Sequence, residues 1–223
     1  MDFKSIMALF REDDWTHELV EMLVEMLDLS HQMYGFTMGV VINGDPDQDP
    51  NTQLFDRDKR INKLMRKIRR RVIARLSVGG QGEEVPTALI FFNAVKDAER
   101  IGDYIKNLHE ILEMMPESPD RDLYRKWLQE PSDKVAELLT LTSQGFAESD
   151  DDIAAEIIAA TRRLNRQFEK DIRAVADANL GSHDVVSLVL ALRFMKRISS
   201  HLSNIATTVV MPVDLLDFHD ESL

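Results

Sequence analysis

Asp97-Ala98-Glu99-Arg100-Ile101-Gly102-Asp103-Tyr104-Ile105-Lys106-Asn107 decides how the rest of the chain is read. Glu99, Asp103 and Asn107 stand at i, i+4 and i+8. In a helix that spacing stacks their oxygens on one face, about a turn apart. Leu89, Phe92, Val95, Ala98, Ile101, Ile105, Leu108 and Leu112 recur at three- and four-residue intervals and predict a helix from about Pro86 to Met115. Glu99 and Asp103 fall beside that apolar stripe, which predicts half-burial at a seam between helices. Carboxylates one turn apart repel, and half-buried ones need a donor or a cation. A solvated acidic face is the plain alternative.

The helix before it, about Thr52 to Leu76, carries the sharpest charge contrast in the chain. Ile61, Leu64, Met65, Ile68 and Val72 form its apolar stripe. Around them stand Arg57, Lys59, Arg60, Lys63, Arg66, Lys67, Arg69, Arg70, Arg71 and Arg75. Such a face either balances acidic neighbouring helices or docks an acidic partner, an anionic membrane surface or phosphate groups. Asp58 and Asn62 share one side of this helix, close to its stripe. Gly79-Gly80-Gln81-Gly82 ends it as a helix–helix turn; no strand precedes it, so it is not a dinucleotide fingerprint.

Upstream, Leu19, Met22, Leu23, Met26, Leu27, Leu29 and Met33 predict a helix from Asp14 or Thr16 to Ile42, stopped by Asn43-Gly44. Gly35 and Gly39 would let a neighbouring helix approach closely. Residues 1–13 read as a lead-in. Residues 43–51 read as a loop whose two prolines and wrong spacing exclude an EF-hand. Downstream, Pro116-Glu117-Ser118-Pro119 is the strongest break in the chain. Three more helices are expected: Asp120 to Glu148, Asp151 to Ala178, and His183 to Val210 behind a Ser182 cap. An acidic tail, 211–223, follows. No segment has strand periodicity.

Composition sets the outer bounds. There is no cysteine, which excludes disulfides, thiolate zinc sites and a cysteine nucleophile. A net charge of -12 opposes general nucleic-acid binding. Met1-Asp2-Phe3-Lys4 lacks a signal-peptide pattern, and the apolar run Tyr34 to Ile42 is about half a membrane span. A soluble, cytoplasmic protein is expected.

The two halves repeat each other. Arg100-Ile101-Gly102-Asp103-Tyr104-Ile105-Lys106-Asn107-Leu108 aligns with Arg197-Ile198-Ser199-Ser200-His201-Leu202-Ser203-Asn204-Ile205. Arg60-Ile61-Asn62-Lys63 aligns with Arg163-Leu164-Asn165-Arg166. The expected fold is all-α: six long helices in two tandem antiparallel three-helix bundles, residues 1–116 and 117–223.

These residues carry a resemblance. Glu99-Arg100-Ile101-Gly102-Asp103-x-x-x-Asn107 resembles the E-R-I-G-D-H-x-x-N signature of the PhoU family, regulators of phosphate uptake. Asp58-x-x-x-Asn62 resembles the companion D-x-x-V/I-N on the preceding helix of that family. The likeness covers the whole chain in length, helix order and duplication. It implies metal ions of the iron or zinc class, with Glu99 and Asp103 as ligands and Asn107 and Asp58 in support. An all-oxygen set suits magnesium, calcium, manganese or oxidised iron better than zinc. No organic cofactor is implied. In the second half Lys196 replaces the motif glutamate, Ser200 the aspartate and Thr161 the acid supplied by Asp58, so that half is expected to hold no metal. His201 stands at the motif histidine and is expected to pack or hydrogen-bond.

The resemblance implies a non-enzymatic regulator that binds a phosphate transporter subunit or a sensor histidine kinase. It would reach the membrane only through that partner, and a homodimer is compatible with it. One alternative is a metal-free helical scaffold acting on another transporter. Another is a carboxylate-bridged di-metal enzyme. That chemistry needs Glu-x-x-His pairs on separate helices, whereas Asp14-x-x-His17 and Asp28-x-x-His31 both lie on the first.

Overall fold

The structure is a computed structural model that describes residues 14–44, 49–78 and 84–210. The lead-in, the core of the Pro-rich loop, the glycine turn at 79–82 and the acidic tail lie outside the described residues. Six long helices follow one another: α1 Asp14–Asn43, α2 Asp56–Val78, α3 Val85–Glu110, α4 Arg121–Glu148, α5 Asp151–Ala176 and α6 Ser182–Val210. No strand occurs among the described residues.

The helix ends follow local chemistry. Gly44 takes a left-handed φ of 77° and returns its N–H to the Val40 carbonyl at 2.8 Å, closing α1. The Arg121 guanidinium, from the first residue of α4, donates to the Val41 carbonyl at 2.9 Å, so the end of α1 is tied to the start of the second half. Asp120 accepts from the Asp122 and Leu123 N–H groups as the cap of α4. Asp150 does the same for α5, after Ser149 turns the chain through a left-handed φ of 54°. Ser182 is already helical: α6 opens on the Val185 N–H to Gly181 carbonyl bond, so the expected serine cap is displaced by one residue. The basic helix begins with a wide π turn, Asn51–Phe55, and α3 ends in a tight turn, Ile111–Glu113, short of the expected Met115.

Each half forms a three-helix bundle, and the bundles lie side by side. α1 packs on α4 and α3 packs on α6, so these four helices make the centre, with α2 and α5 flanking them. A single continuous apolar core runs through both halves. Phe91 of α3 meets Phe146 of α4 edge to face, with centroids 6.0 Å apart. Tyr34 of α1 donates to the Ser132 carbonyl of α4. The Tyr124 hydroxyl donates to Asp184 Oδ1 at 3.0 Å, and burial together with that carboxylate pushes its phenol up to about 12.

This side-by-side packing corrects the expected stripe on α3. The helix is buried on two sides, so Ile90, Phe91 and Ala94 enter the core while Leu89 is 48% exposed. Among the described residues no close neighbour uses Gly35 or Gly39: none lies within 4 Å of where a Cβ would stand on either.

Candidate functional site

Two polar clusters line α3, one facing α2 and the other facing α6. The first is built on Gly102, where a Cβ would touch Ile61 Cδ1 at 3.5 Å and Asp58 Oδ1 at 3.8 Å. The first turns of α2 lie against α3 here at ordinary contact distance, so a methyl group would also fit. The Lys106 ammonium then reaches both acids, 3.0 Å from Asp58 Oδ1 and 3.0 Å from Asp103 Oδ1. Asp58 Oδ2 also accepts from Asn62 Nδ2 at 3.3 Å, and Asp103 Oδ2 lies 3.8 Å from Arg100 Nη1. Partial burial works against the charge of Lys106. Its hydrogen bonds to Asp103 and Asp58, and their negative charges, outweigh that and raise its pKa. Glu99 fares differently. Burial, then repulsion from Asp103, pushes its carboxyl above the usual range. Asn107 lines a shallow cleft of about 320 Å³ with Arg100, Asp103, Tyr104, Lys106 and Glu110.

Of the residues singled out by the sequence, the structure therefore brings Asp58 and Asp103 together around one lysine. Glu99 and Asn107 flank Asp103 along α3, one turn to either side. Among the described residues, no group of three or more His, Asp or Glu side chains is arranged to hold a metal ion.

The second half answers with a neutral network. Asn165 of α5 donates to Ser200 Oγ at 3.2 Å and accepts from Ser199 Oγ at 2.8 Å. Lys196 pairs with Glu169 at 2.6 Å and holds that carboxyl below its usual range.

The other cluster joins the halves; His201 packs and hydrogen-bonds as expected, but sequence reasoning missed its partners. Asp97 is buried on α3, where His201 Nδ1 lies 2.6 Å from its Oδ1 and Asn204 Nδ2 donates to it at 3.3 Å. Tyr104 stacks on His201 with centroids 5.5 Å apart and touches Phe194 at 6.1 Å. Tyr104 and His201 are equivalent repeat positions, as are Asp97 and Phe194, so the duplication axis passes through this stack. The repeat alignment pairs these positions but carries no sign that they touch.

The basic helix divides in two. Arg60 grips Glu25 of α1 through two bonds of 2.7 and 3.1 Å. Arg71 and Lys67 hold Glu18 at 2.7 and 3.5 Å, and Arg75 binds Glu84 at 2.8 Å. Those cations balance acidic neighbours. Lys63, Arg66 and Arg70 point outward, and among the described residues none of them has a carboxylate in ion-pairing range. Ile73, 55% exposed, continues the same outer stripe.

Among the described residues His17 is exposed and pairs with Glu21, and Asp28 and His31 are exposed, so these side chains do not face a bundle interior.

A family model, the PhoU domain, matches residues 23–112 and 128–209, one segment in each half. The chain belongs to the PhoU family. Its fold is similar to a crystal structure of PhoU from Pseudomonas aeruginosa, at a TM-score of 0.74 and 20% identity over 90% of this chain and 96% of that one. No curated protein sequence matches it. The second PhoU segment spans the half with the eroded motif, so loss of the acids has left the PhoU fold intact there.

Proposed function

We infer that this PhoU-family chain regulates phosphate homeostasis by docking, through the outer stripe of α2, on an acidic surface of a phosphate transporter subunit. The carrying observation is that stripe. Lys63, Arg66 and Arg70 are exposed cations with no carboxylate partner among the described residues, on a chain of net charge -12. Unpaired cations on an acidic protein steer an acidic partner to one face and fix its orientation. The neighbouring Ile73 supplies an apolar contact at the end of the same stripe. Catalysis finds no support in the geometry. The described histidines with a polar partner meet Glu21, the Met114 carbonyl and Asp97, and none of those partners is a hydroxyl. No described helix is long and apolar enough to cross a membrane, so contact with a transporter would run through its exposed parts.

The test is capture of this chain by an immobilised phosphate transporter subunit and, separately, by a sensor histidine kinase. Reversal of Lys63, Arg66 and Arg70 to glutamate is expected to weaken capture by the transporter subunit at least about tenfold, with wild-type capture falling as salt rises. A control reversal of Arg166 and Lys170 on α5 should have no effect. Equal capture of the α2 variant and the wild type would remove this stripe from the interface. Capture by the kinase alone would reassign the partner.

A further inference from the structure

The metal implied by the family resemblance meets an obstacle in the first half. A hard dication needs the Asp58 and Asp103 oxygens turned toward one vacant point. Here they converge on the Lys106 ammonium, at 3.0 Å each. Their other oxygens are engaged as well, by Asn62 at 3.3 Å and Arg100 at 3.8 Å. A positive charge in contact with both acids repels an incoming dication and competes for the same lone pairs. The residues present do not fit a metal.

The second half reaches a similar state by a separate route. Lys196 stands at the repeat position of Glu99 and binds Glu169 at 2.6 Å. Lys106 aligns with Ser203, so the two lysines do not share one repeat position. Each half has its own ammonium in or beside the motif, delivered from a different register.

We propose that Lys106 is the resident cation of the first half, clamping Asp58 of α2 to Asp103 of α3, and that the protein carries out its role without a bound divalent ion. Lysine suits this task as a compact point charge with three donors, enough to serve both acids. Its stem crosses the α2–α3 seam and its side chain is 25% exposed, so the charge is partly shielded from water. The proposal is independent of which partner the chain docks on.

Manganese is a suitable probe because it favours oxygen ligands. The wild type, Lys106→Arg, Lys106→Met, Lys106→Gln and the double variant Lys106→Met with Asp103→Asn are incubated with Mn²⁺, desalted and assayed for bound metal. Thermal unfolding with and without Mn²⁺ runs alongside. The wild type and Lys106→Arg are expected to retain no manganese and to show no shift in Tm. Lys106→Met and Lys106→Gln free the acids. They should bind at least about tenfold tighter than the wild type, with Tm rising as Mn²⁺ is added. The added Asp103→Asn change should remove that gain. Stoichiometric manganese in the wild type would overturn the proposal. So would folded Lys106→Met and Lys106→Gln chains that gain no affinity, because the acids would then form no cation site at all.

Discussion

Replacing Phe91 or Phe146 by alanine is expected to cost about 3–5 kcal/mol each, and to do so in one unfolding transition rather than two. The two rings are 0% and 1% exposed, and their centroids stand 6.0 Å apart at 78°. Phe91 belongs to the first half and Phe146 to the second, yet they fill one core. Each deletion leaves a cavity that close-packed helices on both sides cannot fully collapse into. The double variant should lose less than the sum of the single losses, by roughly 0.5–1.5 kcal/mol, because each single change already removes the edge-to-face contact. Chemical denaturation followed by fluorescence and by circular dichroism checks this. Coincident curves and non-additive losses are expected. Two separate transitions would mean that the halves are stable on their own and that the shared core contributes little.

The Asp97→Ala variant is expected to lose about 2–4 kcal/mol, a fall in Tm of roughly 5–12 °C for a chain of this size. Asp97 is 6% exposed and is the partner of both His201 and Asn204. Its removal takes the shared acceptor from two half-buried polar groups, one of them stacked on the Tyr104 ring. Asp97→Asn keeps one acceptor oxygen and should lose less. The comparison of the two variants by differential scanning calorimetry separates lost hydrogen bonding from lost charge. An Asp97→Ala chain within about 0.5 kcal/mol of wild type would show that the cluster joining the halves is not a stability element.

Much of the fold was legible because helices announce themselves locally. The apolar periods, the helix starts near Asp120 and Asp151 and the stop at Gly44 are set by residues within a turn or two of one another. The tandem repeat was legible for the same reason. What escaped is the packing between repeats. Ile90 and Phe91 look no more buried than Leu89 until α6 and the Phe146 ring are placed against α3. Asp97 looks like one more surface acid beside Glu99, and its partner lies 104 residues away.

The candidate site was read in part. Asp58 and Asp103 both reach the Lys106 ammonium across the α2–α3 seam, and Glu99 and Asp103 are half-buried, as their place beside the stripe requires. Lys106 fell between the motif positions and attracted no notice, although its ammonium stands 3.0 Å from both acids. Helical spacing shows which side chains share a face. It does not show how far a four-carbon stem reaches across a seam. The basic helix gives the opposite lesson. Ten cations were visible, but only the positions of Glu18, Glu25 and Glu84 show which are spent inside the molecule and which remain outward.

Phosphate uptake in cells lacking this chain is the measurement that bears most directly on a docking regulator. Uptake should rise when the chain is absent and return to normal when the wild type is restored. The chain with Lys63, Arg66 and Arg70 reversed to glutamate should accumulate to the same level and leave uptake high. Normal uptake with the reversed chain, or uptake that never depended on the chain, would contradict regulation through the outer stripe of α2.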